Sequence, residues 1–332
     1  MKNMRRESDI IVRLVQDYEG PDLIRQTPGL SGKWDGVYFT LEPVRECDYL
    51  IVLRSQMRTP ISVTCPRENV WAIVQDPYIP GFNDWLVEGY EHFSRVFTQF
   101  IPYKDDRFVI SQPALPWYVN RSYDQLVALP VPSKEKTLSW VVGNQSDIPG
   151  HFKRKAFFNI LKQQRGFDID LFGRSSFYLE DKADGLLPYR YSLAIENSCI
   201  PDYWTEKIAD CFLCWTLPIY YGSHNLAEYF PPESFVRIDI ANPQEALTKI
   251  KSIITNDAWE KRLPALKAAR QLVLERYQFF PYFSKLINQE NSYHKQRSKI
   301  EIPVYNRSFK ARIHRIGYKI KRDFIMKQVA YE

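Results

Sequence analysis

The sequence predicts an α/β protein made of two doubly wound domains with a cleft between them, and three observations predict it. The chain has 332 residues, more than one ordinary core holds and comfortable for two. Short β-branched or aliphatic runs alternate with segments of helical periodicity through both halves. Clusters of Pro, Gly, Asn and Asp punctuate the joins. With 45% hydrophobic and 25% charged residues, the composition excludes a disordered chain.

Taken in order, Ile10 to Val15, Tyr49 to Leu53 and Val70 to Val74 read as strands. The third runs into the loop Q-D-P-Y-I-P-G-F-N-D. Beyond it, Leu86, Tyr90, Phe93 and Phe97 stand at helical spacing and predict a helix from Trp85 to Phe97. Leu126 to Val131 and Leu138 to Val142 read as further strands. The loop N-Q-S-D-I-P-G then marks a boundary, giving domains of 1–145 and 146–290. The second half continues with a helix at Phe152 to Gln164, strands at Phe167 to Phe172 and Tyr191 to Ile195, and a helix at Thr205 to Cys214. Strands at Leu217 to Tyr221 and Phe235 to Ile238 follow. Asn242, Pro243, Gln244 and Glu245 make a helix-opening signature. The helix expected from Trp259 to Tyr277 carries Pro264, where a kink is predicted.

Residues 291–332 read as a basic helical tail. The formal charge is +6, but eight basic residues and one acid between Arg307 and Lys327 make that stretch +7, leaving 37 basic against 38 acidic residues elsewhere. The nearly neutral body argues against nucleic-acid binding. Phe309, Ile313, Ile316, Ile320 and Phe324 draw an apolar stripe down this helix. A basic amphipathic helix of this kind suits peripheral contact with an anionic membrane through 307–327. Its plainer alternative is a helix packing its stripe on the body. No apolar run approaches the ~20 residues of a membrane span, and M-K-N-M-R-R-E-S-D has no apolar h-region of a secretory signal behind it. The expected location is therefore cytoplasmic, on the inner face of the membrane. The five cysteines form no disulfide framework, and Cys211 and Cys214, though spaced C-x-x-C, fall within a pattern expected to be a buried helix.

No G-x-G-x-x-G, phosphate-binding G-K-S/T or G-x-S-x-G occurs, and Asp168 and Asp170 form D-I-D only within an expected strand. A phosphate-bearing ligand held without metal would depend on Arg, Lys and helix N-termini.

The stretch from Tyr189 to Ile240 contains Y-R-Y-S-L-A-I-E-N-S, then D-Y-W-T-E-K, then P-I-Y-Y-G-S and F-P-P-E-S-F-V-R-I-D-I. It closely resembles the donor-binding signature of the α1,3/4-fucosyltransferases, glycosyltransferase family 10, in order and spacing. Weaker similarity runs back through S-D-I-P-G-H-F-K-R-K-A-F-F-N-I-L to W-A-I-V-Q-D-P. The resemblance implies a GT-B fold, with two Rossmann-like domains facing across a cleft. It also implies GDP-fucose as donor, an oligosaccharide or glycolipid acceptor, inversion at the sugar carbon, no cofactor and no strict need for metal. An acceptor such as lipopolysaccharide, taking fucose at the 3-OH or 4-OH of GlcNAc or glucose, fits a bacterial type without the N-terminal anchor of Golgi enzymes.

Residue by residue, Glu206 is expected to bond the ribose, Lys207 to meet phosphate and Tyr203 to lie against the donor. These three stand at i, i+3 and i+4, so a helix beginning there would put them on one face. Asn197 is expected to face fucose or diphosphate, whereas strand alternation turns Glu196 toward a structural hydrogen bond. Arg154 matches the family's phosphate-binding Arg, with Lys153 and Lys155 beside it. The family places a catalytic Glu before a Pro after a first-domain strand; here Asp76 stands before Pro77, one methylene shorter. Glu88 and Glu91, expected on the following helix, are the substitutes. A different GDP-sugar, or an inactive glycan- or nucleotide-binding relative, is the alternative reading.

Overall fold

The structure, a computed structural model, describes residues 9–16, 19–53, 58–143, 145–164, 168–173, 177–256, 259–290 and 296–329, with side chains described as far as 323. Two compact units emerge. The first takes the described residues within 1–20, 35–113 and 287–332; the second takes those within 21–34 and 114–286.

In the first unit six strands lie in the order Val37–Thr40, Ile10–Gln16, Tyr49–Leu53, Val70–Ile73, Arg95–Thr98, Phe108–Ile110, and every pairing is parallel. Tyr49–Leu53 and Val70–Ile73 are buried along their whole length, as parallel strands covered on both faces must be. Leu50, Val52, Val70, Ala72 and Val96 supply the core on one side.

The second unit has its own five-stranded parallel sheet, in the order Asp170–Phe172, Lys136–Val141, Tyr189–Ile195, Leu217–Tyr221, Val236–Arg237. Helices Pro149–Gln163, Glu206–Leu213, Pro243–Thr255 and Leu263–Leu272 accompany it. Its core joins Trp140, Phe157, Leu193, Ile208, Phe212, Ile219, Ile250 and Leu266.

Several expectations are corrected. The helix expected from Trp85 to Phe97 is a short turn at Asp84–Val87, a loop, and the strand Arg95–Thr98. Gly89 sits at φ 83°, where a Cβ would also lie 3.0 Å from the Tyr305 ring, so the helix cannot run through it. Leu126 to Val131 is not a strand: Ser122 and Gln125 form a reciprocal capping box that opens the helix Tyr123–Ala128. The boundary at 145/146 lies too late, because Lys136–Val141 pairs with Asp170–Phe172 and Tyr189–Ile195 and so belongs to the second sheet. The irregularity expected at Pro264 comes instead at Val273–Tyr277, a wide π turn; Pro264 sits in the first turn of Leu263–Leu272, where proline is tolerated. Of the strand expected from Phe167, only Asp170–Phe172 is formed, and Phe167 itself lies outside the described residues.

The described residues within 291–332 do not form a separate tail. Arg297–Ile302 pairs antiparallel with Ile61–Pro66, and the helix Phe309–Val329 docks on the loop around Trp85. Arg315 lies over the rings of Phe82 and Trp85 at 4.7 and 5.0 Å, Arg307 lies over Trp85 at 4.1 Å, and the His314 Nδ1 stands 2.5 Å from Asp84. The apolar stripe does not face the body: Phe309, Ile313, Ile316 and Ile320 are all exposed, at 50–78%. The Phe324 side chain lies outside the described residues.

Candidate functional site

At the carboxyl ends of the second sheet, where ligands of parallel α/β sheets gather, three segments of chain converge. The first is the start of Pro149–Gln163. Arg154, one turn in, is 5% exposed and donates to Asn197 Oδ1 at 2.9 Å and to the Gly143 carbonyl at 3.2 Å. This brings the expected phosphate ligand and Asn197 together. Burial pulls the guanidinium below its ordinary value, against the attraction of Glu196 and Glu206, and an arginine so perturbed stays charged. Gly150 permits the approach: a Cβ there would stand 1.8 Å from the Asn197 carbonyl oxygen.

The second segment is the turn after Tyr189–Ile195. Glu196 is fully buried and accepts from the Thr205 backbone N–H at 2.8 Å, while the Thr205 hydroxyl lies 2.9 and 2.8 Å from its two oxygens. Glu196 also pairs with Lys207 Nζ at 3.2 Å. Burial pushes its carboxyl up, and Lys207 holds it back. Its geometry is that of the structural hydrogen bond anticipated from strand alternation.

The third segment is the start of Glu206–Leu213, capped by the Thr205 hydroxyl, which accepts from the Lys207 N–H at 3.3 Å. Lys207 Nζ lies 3.2 Å from Glu206 as well as from Glu196. Burial works against the Lys207 charge, but these two carboxylates outweigh it and hold the amine above its usual value. Burial likewise opposes the Glu206 charge, yet Lys207 and Lys182 keep its carboxyl below the ordinary range.

Tyr203 corrects the expectation that it shares a helix face with Glu206 and Lys207. It precedes the cap and is buried. Thr205, between Tyr203 and Glu206, is extended, at φ −132° and ψ −171°, so the helix begins at Glu206 and does not reach back to Tyr203. Tyr203 still lies close enough to act on the Arg154 charge.

The three base candidates all fall in the first unit. Asp76 follows Val70–Ile73 and is half-buried. The backbone on either side is pinned: the Gln99 amide donates to the Val74 carbonyl at 2.9 Å, and the Asn83 amide donates to the Pro77 carbonyl at 2.8 Å. Glu88 and Glu91 are in a loop, not on a helix. Glu88 accepts from the Tyr305 hydroxyl and the Ser308 N–H. The Glu91 side chain is 69% exposed.

Sequence reading missed two neighbours of the site. Lys182 reaches Asp210 at 2.7 Å and acts on Glu206; Asp210, fully buried, also accepts the Tyr118 N–H at 3.1 Å. His151 shares a helix face with Arg154. No motif marks Lys182, and His151 was legible only as a letter of H-F-K-R-K. Cys211 and Cys214 are buried, free thiols, the former pushed up to about 12 by burial, and no cluster that could hold a metal occurs among the described residues.

Residues 131–262 match the family model described as glycosyltransferase family 10 (fucosyltransferase) C-term. That stretch contains Arg154, Asn197, Tyr203, Glu206 and Lys207 but not Asp76. The mouse protein 4-galactosyl-N-acetylglucosaminide 3-alpha-L-fucosyltransferase 9 is 33% identical over 135 residues, 38% of this chain and 36% of that protein. Alpha-(1,3)-fucosyltransferase FucT of Helicobacter pylori is 39% identical over 79 residues, 24% of this chain and 16% of that one. The chain thus spans little more than a third of the length of the mouse relative it matches. A solved alpha1,3-fucosyltransferase with GDP-fucose aligns with a TM-score of 0.52 at 18% identity, covering 89% of this chain and 94% of that one. The same kind of enzyme with GDP aligns at 0.51 and 19%, covering 89% and 96%. These likenesses show the fold, which is of the GT-B type.

Proposed function

We propose that the chain is an inverting fucosyltransferase that moves L-fucose from GDP-β-L-fucose to a hydroxyl of a glycan acceptor, the 3-OH or 4-OH of GlcNAc or glucose. The observation that carries this reading is the assembly of Arg154, Asn197, Glu206 and Lys207 at one sheet end, within the stretch that matches the family domain. Arg154 and Lys207 meet the diphosphate, Glu206 the ribose, and Glu196 holds Lys207 and Thr205 in place. The acceptor oxygen attacks the fucose anomeric carbon as the bond to the β-phosphate oxygen breaks. That bond's electron pair leaves with GDP, and the acceptor proton passes to the Asp76 carboxylate. Asp76 is favoured over Glu88 and Glu91 because it stands before Pro77 after the strand Val70–Ile73, the position at which the resemblance puts the catalytic acid. Charge on departing GDP is met by groups already oriented before reaction.

The helix Phe309–Val329 supports a second part of the reading, peripheral attachment to an anionic lipid surface on the cytoplasmic face of a membrane where lipid-linked glycans such as lipopolysaccharide are built. Its apolar stripe is exposed because the other face is occupied by Phe82 and Trp85, and lysines and arginines flank the stripe. No helix among the described residues is long and apolar enough to cross a membrane.

The test of the main reading is GDP release from a panel of GDP-sugars, with a glycan acceptor and with EDTA present. GDP-fucose is expected to turn over, and to do so in EDTA, since Arg154 and Lys207 provide the cationic partners of the diphosphate. Preference for GDP-mannose would replace the sugar but keep the site. Loss of all turnover in EDTA, restored by Mn²⁺, would overturn the metal-independent mechanism.

A further inference from the structure

We propose that His151 is a neutral hydrogen-bond donor to the diphosphate of the bound nucleotide sugar, through Nε2; this rests on the donor site described above. His151 is on the first turn of Pro149–Gln163 and three residues before Arg154, so both side chains leave the same face of the helix. It is 5% exposed. The Asp147 backbone N–H donates to its Nδ1 at 3.2 Å, which makes Nδ1 the acceptor and leaves the proton of the neutral ring on Nε2. That Nε2 has no partner among the described residues. Native proteins rarely bury a polar N–H without an acceptor, and those that do are commonly keeping it for a ligand or an ordered water.

The surroundings specify an anionic acceptor. Both cations assigned to the diphosphate, Arg154 and Lys207, act on the His151 ring, while Asp147 acts in the opposite sense. Burial, then the Arg154 charge, holds the ring down to about 4, so at neutral pH it is uncharged. A neutral donor adds a hydrogen bond to phosphate without adding a positive charge beside Arg154. The helix N-terminus contributes a partial positive charge in the same direction.

The test uses the full chain and titration calorimetry with GDP and with guanosine. His151→Phe keeps a flat ring and removes the donor; His151→Gln keeps an N–H. The Phe variant is expected to bind GDP about tenfold more weakly, the loss of one hydrogen bond to a charged group, with guanosine affinity unchanged. The Gln variant should stay within about threefold of wild type. GDP affinity unchanged in the Phe variant overturns the proposal, as does an equal loss for GDP and guanosine. Should the Phe variant fail to fold, ¹⁵N-histidine spectra of the wild type, assigned with the Gln variant, decide: the His151 Nε2 resonance must move when GDP is added, and a stationary one overturns the proposal. Wild-type protein that binds no GDP sinks the donor reading together with this inference, whereas binding that is indifferent to His151 sinks the inference alone.

Discussion

On the proposed reading Lys207 has two jobs, pairing with Glu196 and meeting phosphate, that a single alanine substitution would confound, and a double-mutant cycle with Glu196 separates them. Its amine lies 3.2 Å from a fully buried Glu196 carboxylate that also accepts from Thr205. Lys207→Met therefore strands a buried charge, and breaking such a pair from one side costs about 3–5 kcal/mol. Glu196→Gln in the same chain removes that stranded charge, so the double variant should recover most of the lost stability, the remainder being the lost contact of Lys207 with Glu206. Donor affinity should not recover, because the phosphate contact is gone: a lost charge-assisted hydrogen bond is worth about 1.5–3 kcal/mol, or roughly 10- to 150-fold in Kd. The pH dependence of the single variant supplies an internal check. Burial already raises the Glu196 carboxyl, and losing Lys207 raises it further. A folded-state value above the unfolded one favours the folded protein at low pH, and that advantage is lost as pH rises through the raised value. The deficit of Lys207→Met relative to wild type should thus be largest near pH 8 and shrink toward pH 5. Urea unfolding at both pH values and GDP calorimetry measure all of this. A Lys207→Met variant as stable as wild type at pH 8, or a double variant with restored GDP affinity, would refute the reasoning.

Two further outcomes are expected. Asp76→Asn should lower kcat by about 10²–10⁴-fold, the usual range for a general base, with GDP affinity unchanged, while Glu91→Gln on the exposed loop stays near wild type; the reverse pattern in steady-state kinetics would move the base to Glu91. Ile316→Glu combined with Ile320→Glu should abolish binding to anionic vesicles while leaving thermal unfolding unchanged, since both side chains are already exposed and the helix docks through Arg315, His314 and Tyr318. Wild-type protein should also release from those vesicles as salt rises, and vesicle pelleting of the double variant at wild-type levels would remove the lipid surface as the stripe's occupant.

The elements around the candidate site were legible because their signals are local. Thr205, Glu206 and Lys207 carry their cap and their charges within three residues, and the buried strands that aim them read as unbroken aliphatic runs. What escaped depended on partners far along the chain. Leu86, Tyr90 and Phe93 do face the core at helical spacing, yet Gly89 turns the chain against Tyr305, 216 positions later, and the periodicity belongs to a folded loop. Leu126 escaped although its signal is local: a short apolar run suggested a strand, but the capping box at Ser122 and Gln125 outweighs it. Residues 297–302 cannot be assigned to a sheet without knowing that Ile61–Pro66 offers an edge. His151 was invisible for a different reason: its candidate role lies in an unpartnered atom, which only a structure can reveal.

On the proposed reading, the balance of charge at the donor site explains why oriented donors, rather than a bare positive field, would select a diphosphate. Arg154, Lys182 and Lys207 stand among Glu196, Glu206 and Asp210, three cations and three anions. Lys182 and Lys207 are each in direct contact with carboxylates, so much of their charge is already met. Arg154 is instead held by two neutral oxygens, the Asn197 amide and the Gly143 carbonyl, which fix its plane without cancelling its charge. On the proposed reading, an arriving diphosphate would find one cation whose contacts are neutral, a second shared with Glu196 and Glu206, and an uncharged N–H at His151. Holding these groups in place before the donor arrives costs the fold a buried network, and spares the reaction the reorganisation that water would demand.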